Sequence, residues 1–340
     1  MTTFGESHSE FIGGVLDGFP SNFSIDFEAI NSELQRRKTG NFSFTSQRKE
    51  NDCAQFISGI FEGKTTGAPI AFLIKNSDAQ SADYEELKNI YRNGHADFTY
   101  QQKYGIRDYR GGGRASARET AVRVVAGALA KQFLATKGIF IDGFVSQISR
   151  CHSREGGNPL KNEVIAGLTR NDNTLTQAML QEIETAQKNS NSVGGVVSCV
   201  IKGVPAGVGE PIYDKLQARL AYAMLSIPAA KGFEYGCGFE SAKMLGSEMN
   251  DVFVCENGKI QTKTNNCGGI LGGISTGGDI VFRVAFKPAS SIAQKQQTVD
   301  IDGNRQEYKI HGRHDVCFVP RAVPVVEAMA ALVVADFIVQ

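Results

Sequence analysis

The sequence lacks a surplus of charge of either sign: Lys and Arg total 36, Asp and Glu total 36, and the formal net charge is zero. Proteins that bind nucleic acid or membrane surfaces through their overall charge carry a basic excess, so those classes are disfavoured. The seven cysteines (Cys53, Cys151, Cys199, Cys237, Cys255, Cys267 and Cys317) are odd in number, and none falls in a C-x-x-C pair. That spacing fits neither a zinc knuckle nor a disulfide scaffold and predicts reduced thiols in a cytoplasmic protein. Met1–Glu10 has no cationic start and no apolar run, so no signal peptide is expected. The most apolar stretch, Ala322–Val339, contains Glu327 and Asp336, which predicts a buried helix and not a membrane span. Low-complexity linkers and short repeats are also missing. What remains is an ordinary globular composition over 340 residues, with glycine high at 37. At about 150 residues per unit, this length corresponds to roughly two core units. A chain of this size buries about three quarters of its unfolded surface and needs no metal or disulfide staple.

Periodicity places helices at Asp26–Lys38, Tyr84–Ile90, Ala117–Lys137, Leu175–Lys188 and Tyr213–Ser226, and a C-terminal helix from near Pro324. Strands are predicted at Gln55–Phe61 and Pro69–Ile74, joined by a Gly-Lys-Thr-Thr-Gly turn, and at Phe140–Ile148, Gly195–Lys202 and Asp279–Phe286. The segment Tyr91–Gly113 has almost no periodicity. Interspersed strands and helices indicate an α/β or α+β chain. It divides loosely into halves near residues 148–161, where Cys151–Pro159 reads as an exposed loop.

The chemistry concentrates in Arg110-Gly-Gly-Gly-Arg-Ala-Ser-Ala-Arg-Glu-Thr120. A glycine-rich loop ending at a helix N-terminus attracts anions, Ser116 and Glu119 have capping-box spacing, and Arg114 and Arg118 add bidentate donors. A plain capped helix after a flexible loop fits the same residues, and no Walker or Rossmann pattern is present. An RGG-type RNA element would need repetition and basic surroundings. Of five histidines, His8, His95 and His314 each lie within a few positions of a glycine and an acidic residue, as tuned proton donors do; their spacing makes a metal role weak. Arginines at aperiodic segments (Arg36, Arg37, Arg48, Arg107, Arg110, Arg114, Arg118, Arg313, Arg321) predict a local basic pocket for a small polyanion. The paired glycines of Asn265–Ile274 suit either a ligand or a tight turn.

Together these segments resemble the chorismate synthase family. The resemblance rests on Gly5-Glu-Ser-His8, Gly94-His-Ala-Asp97, Lys103–Thr120, Gly312-Arg-His-Asp315 and Pro320–Met329, with Phe61–Gly67 and Ser226–Gly232 between them, and it spans nearly the whole chain. It implies an α+β chain of one domain folded as a β-α-β sandwich, assembled as a homotetramer. The implied reaction converts 5-enolpyruvylshikimate 3-phosphate to chorismate and phosphate with reduced FMN, the electrons coming from NADPH or an external reductant. By the same resemblance His8 is the acid near the departing phosphate, His95 is the proton donor to the reduced flavin, and Asp315 assists at its N5. Ser7 and Ser116 belong to a supporting relay. FMN contacts carry over to Arg114, Ala115, Ser116, Ala229, Gly272, Lys287, Pro288, Ala289, Ser290, Ser291 and Arg313, and substrate-anion contacts to Arg37, Arg48 and Arg107.

The family pattern also implies a strand of about ten residues ahead of Thr2, with Met1 standing where it would end. It places glycine, serine, proline and proline at the positions of Ser9, Ala115, Asn93 and Val316. It places an arginine at Ser43, whose loss here removes one anion contact.

Overall fold

Alternation of apolar and polar residues builds two antiparallel sheets. The computed structural model describes residues 1–40, 44–45, 50–78, 81–152, 173–256, 258–310 and 315–339. The first sheet contains β1 (Thr2–Phe4), β2 (Phe11–Leu16), β3 (Ala54–Ser58) and β6 (Ile70–Lys75) in the order β1-β2-β6-β3. Ile70, Phe72 and Ile74 of β6 are buried, as the period of two requires. The expected strand to Phe61 breaks at Gly59, whose φ of +82° lets a small hairpin, β4 (Ile60–Phe61) and β5 (Lys64–Thr65), replace a single turn.

The second sheet contains β7 (Phe140–Ile148), β8 (Cys151–His152), β9 (Gly195–Lys202), β10 (Ala230–Tyr235) and β15 (Ile280–Phe286), ordered β10-β15-β9-β7-β8. Ile280, Phe282, Val284 and Phe286 form the buried face predicted for β15. Smaller hairpins are β11–β12 (Phe253–Glu256, Lys259–Thr262), β13–β14 (Ile270–Leu271, Ile274–Ser275) and β16–β17 (Lys295–Val299, Arg305–Lys309). Most of the loop expected at Cys151–Pro159 lies outside the described residues.

Helices α1 (Phe27–Arg37), α3 (Thr120–Ala135) and α7 (Val319–Val339) fill the space between the sheets. α3 packs on the first sheet and α7 on the second, with α1 against both helices. α3 and α7 approach so closely that a Cβ on Gly127 would sit 2.2 Å from the Ala328 Cβ. This is the expected β-α-β sandwich. α7 is long and apolar enough to cross a membrane by composition alone, yet here it is the core's central helix. Its buried Glu327 accepts from Arg36 Nη1 (2.7 Å) and Nη2 (2.9 Å), Lys131 Nζ (2.7 Å) and the Gly143 N–H (2.9 Å). Burial raises this carboxyl's pKa, but the Arg36 hydrogen bonds and the Lys131 charge outweigh it and hold the group below its ordinary range.

The remaining helices are α2 (Asp97–Tyr104), α4 (Asn173–Lys188), α5 (Leu216–Leu225) and the single turn α6 (Gly246–Met249). Three expectations need correction. α7 begins at Val319, so Pro320 occupies the first turn, where a missing N–H costs nothing, and Pro324 lies inside the helix. Residues Ser81–Leu87 form a 3-10 turn, not an α-helix ending at Ile90. The capping box does not close: the Ser116 hydroxyl accepts from the Arg118 N–H of a short 3-10 turn, while Glu119 turns away to Arg123, 2.8 Å off.

Candidate active site

A cavity of about 590 Å³ opens between the glycine-rich loop, the turn at Arg92–Asp97, the Lys287–Ser291 segment and the start of α7. That volume is in the range of small-molecule sites. His8 and His95, 87 positions apart, both line it, as do Asp315, Ser116, Ala115, Ala229, Arg37, Arg107 and residues 287–291. Ser7, Arg114 and Gly272 are not among the lining residues. Gly272 sits in the β13–β14 turn. Arg48, Arg313, His314 and Ser43 lie outside the described residues.

His8 stands on a turn closed by Ser9, whose N–H and hydroxyl reach the Glu6 carbonyl at 3.2 and 2.8 Å. Ser9 thus braces a position where the family pattern has glycine. Asn76 Nδ2 donates to the carbonyls of Ser9 (2.7 Å) and Glu6 (3.2 Å), tying the turn to the end of β6. Tyr84 meets the His8 ring edge-on at 5.2 Å. Gly111 crosses the other side with φ +59°; a Cβ there would fall 2.4 Å from His8 Nε2, so only glycine fits. Ser7 is buried and its N–H donates to the Gly113 carbonyl (3.4 Å).

His95 follows Gly94 on the turn into α2. Its Nε2 lies 3.1 Å from Ser291 Oγ, and its backbone N–H donates to the Arg92 carbonyl. Arg92 and Arg107 enclose the buried Asp97: Arg92 Nε and Nη2 donate at 2.8 Å each, and Arg107 Nη1 lies 3.0 Å away. Burial alone would raise the Asp97 pKa; the Arg92 hydrogen bonds and the two guanidinium charges bring it below the ordinary value. Asn93 N–H donates to Tyr308 Oη (2.9 Å) and Val316 N–H to the Phe44 carbonyl (3.0 Å). Both bonds use a donor that the proline of the family pattern lacks.

The arginines expected to bind anions face inward. Arg114 donates to the Gly5 carbonyl (2.8 Å) and Thr3 Oγ1 (2.5 Å). Arg118 donates to Asp52 (2.5 Å), Asn76 (2.8 Å) and the Lys75 carbonyl (3.1 Å). Arg37 donates to the Ala117 carbonyl (2.8 Å) and Thr120 (3.1 Å) and lies 3.4 Å from Asp52. Arg107 Nη2 donates to the carbonyls of Lys88 (2.7 Å) and Ile90 (3.0 Å). These groups brace the loop; of the four, Arg37, Arg107 and Arg118 also line the cavity and Arg114 does not. Asp315 is paired with Arg321 at 2.5 Å.

The cations left over are two lysines. Seven Lys/Arg face five Asp/Glu among the described lining residues, and of the seven only Lys231 and Lys287 have no carboxylate partner among the described residues. Lys287 donates to the Gly94 carbonyl and to Ser290 Oγ, both at 2.6 Å. Burial, then repulsion from Lys231, lowers its pKa. Beside them, Ile227, Pro228, Ala229, Ala289 and Phe318 make an apolar wall. The residue-level reading missed Tyr84, Arg92 and Lys231, while Arg321, expected in a basic pocket, does line the cavity. For Lys231, its place in the Ser226–Gly232 motif was a usable signal.

Comparisons agree with this architecture. The family model for chorismate synthase matches residues 1–339. A chorismate synthase of Porphyromonas gingivalis (strain ATCC BAA-308 / W83) is 56% identical over 340 residues, covering 99% of this chain and 92% of the relative. One of Christiangramia forsetii is 53% identical over 342 residues, covering 100% of this chain and 95% of the relative. A crystal structure of a chorismate synthase matches with TM-score 0.75 and 33% identity, covering 99% of this chain and 90% of that one. With fold and sequence matched from end to end, the chain belongs to the chorismate synthase family of lyases.

Proposed function

We propose that this chain converts 5-enolpyruvylshikimate 3-phosphate to chorismate and phosphate, the last step of the shikimate pathway, by a 1,4-elimination that depends on reduced FMN. The observation that supports it best is the convergence of His8 and His95 on one cavity that also carries two lysines without carboxylate partners. A phosphatase needs a metal cage or a nucleophile with its base. An elimination needs anion binding and proton donors.

The lining fits a flavin mononucleotide. Gly112 lines the cavity at φ +85°, and a Cβ there would project into open space, its nearest neighbours 3.9 Å or more away. A backbone wall, an apolar wall and paired lysines suit a flat ring carrying a phosphate. Ala115, Ser116, Ala229 and Lys287–Ser291 are the residues placed to hold it; Arg114, engaged by Gly5 and Thr3, would contribute through its main chain. When bound, reduced FMN supplies an electron-rich ring. In the reaction the C–O bond to phosphate breaks, a ring C–H is lost as a proton, and no net redox change results. His8 protonates the departing phosphate, the lysines bind anionic groups, and His95 holds a proton beside Ser291.

The homotetramer expected with this reading is supported by the apolar side chains left outside: Tyr213, Phe239 and Ile260 are 93%, 82% and 75% exposed. The test is anaerobic phosphate release. Release with reduced FMN, and none with oxidised FMN or without flavin, is expected; equal release under all three conditions would contradict the reading.

A further inference from the structure

The Lys287–Ser291 segment leaves the end of β15 and presses against the turn that carries His95. Lys287 Nζ and Ser290 Oγ both donate to the Gly94 carbonyl, at 2.6 and 3.1 Å. Gly94 has φ +70°, and a Cβ on it would fall 2.6 Å from Ser290 Oγ, so the main chain of the turn lies directly on this segment. One residue on, Ser291 Oγ lies 3.1 Å from His95 Nε2. The Ser291 hydroxyl has no other hydrogen-bond partner among the described residues, and Ser291 and His95 share the cavity wall. A hydroxyl donates to an unprotonated ring nitrogen or accepts from a protonated one, so this contact holds the ring in either tautomer.

We propose that Ser291 is the positioning residue of His95: its hydroxyl engages Nε2 and fixes the angle at which the ring faces the cavity. This rests on the reading that His95 holds a proton used in turnover. Lys287 and Ser290 fix the backbone of the turn, and Ser291 fixes the ring, so the residue is held at both ends. The role is separate from any contact Ser291 makes with a bound flavin.

Three substitutions separate hydroxyl from shape. Ser291→Thr keeps the hydroxyl, Ser291→Val has the shape of threonine without it, and Ser291→Ala removes both. In flavin-free protein labelled with 15N-histidine, the wild type and Ser291→Thr are expected to show the His95 Nε2 resonance shifted by a hydrogen bond, and Ser291→Val and Ser291→Ala to lose that shift. With reduced FMN, kcat of the Val and Ala variants should fall about 10- to 100-fold, the cost of a misplaced catalytic group, while Thr stays near wild type. KM should change by less than about threefold, because uniform binding is untouched. In a His95→Ala background, Ser291→Ala should add no further loss, as for two groups acting as one unit. A wild-type Nε2 resonance in the Val and Ala variants, or an undiminished Ser291→Ala penalty without His95, would overturn the proposal. If the wild type released no phosphate, the functional reading would fail, while the Nε2 spectra would still decide whether Ser291 holds the ring.

Discussion

Arg118 and Lys287 line the same cavity and do opposite things. Every donor nitrogen of Arg118 is engaged inside the protein, by Asp52, Asn76 and the Lys75 carbonyl, whereas Lys287 meets only neutral oxygens. A planar guanidinium with five donors in a fixed fork suits bracing several loop carbonyls and carboxylates at once; a compact ammonium keeps its charge for whatever enters. A charged residue in a glycine-rich loop therefore need not be a charge available to a ligand. The available charge sits on a different segment.

Three substitutions test this contrast. The largest loss of stability is expected for Arg118→Met, which leaves Asp52, fully buried, with only Arg37 at 3.4 Å. Breaking a buried pair costs about 3–5 kcal/mol, readable as a lowered denaturation midpoint with an unchanged slope. Lys287→Met should show the reverse split. Its affinity for reduced FMN should fall roughly tenfold or more, the worth of a charge-assisted hydrogen bond, while its melting temperature stays close to that of the wild type.

The third concerns a carboxylate braced as Arg118 is. Because the Glu327 pKa is lowered in the folded state, its contribution to stability is complete above the ordinary value near 4.5 and is lost as pH falls through the lower folded value. Glu327→Gln should therefore lose stability at neutral pH and show a shallower decline on acidification. Parallel pH profiles for mutant and wild type would assign acid sensitivity elsewhere, for instance to Asp97.

Where a segment's own pattern decides its structure, the sequence was readable. Phe140–Ile148 and Gly195–Lys202 are strands over the predicted residues, and α1 lies within the predicted Asp26–Lys38, with Asp26 as its N-cap. α2 was not readable because Asp97 is its only buried residue: it forms behind the Arg92–Asp97 ion pair and has no apolar stripe. The capping box failed for a related reason. Glu119 finds a stronger partner in Arg123 than in its own helix start. Within the site, the convergence of His8 and His95 was legible only through family resemblance, since local periodicity carries no information about contacts between distant segments. The inward turn of Arg114 and Arg118 was not legible, because it depends on oxygens of residues in or beside β1, β3 and β6 that no local window contains.

The proposed elimination depends most directly on two histidines acting on one ligand. Turnover, substrate affinity and melting temperature should be measured for His8→Ala and His95→Ala with reduced FMN. Each is expected to lower turnover by about 10²–10⁴-fold, the usual cost of losing a general acid or base, with substrate affinity changed by far less and melting temperature near wild type. Turnover near wild type in both variants would contradict the account and return these residues to a purely structural role.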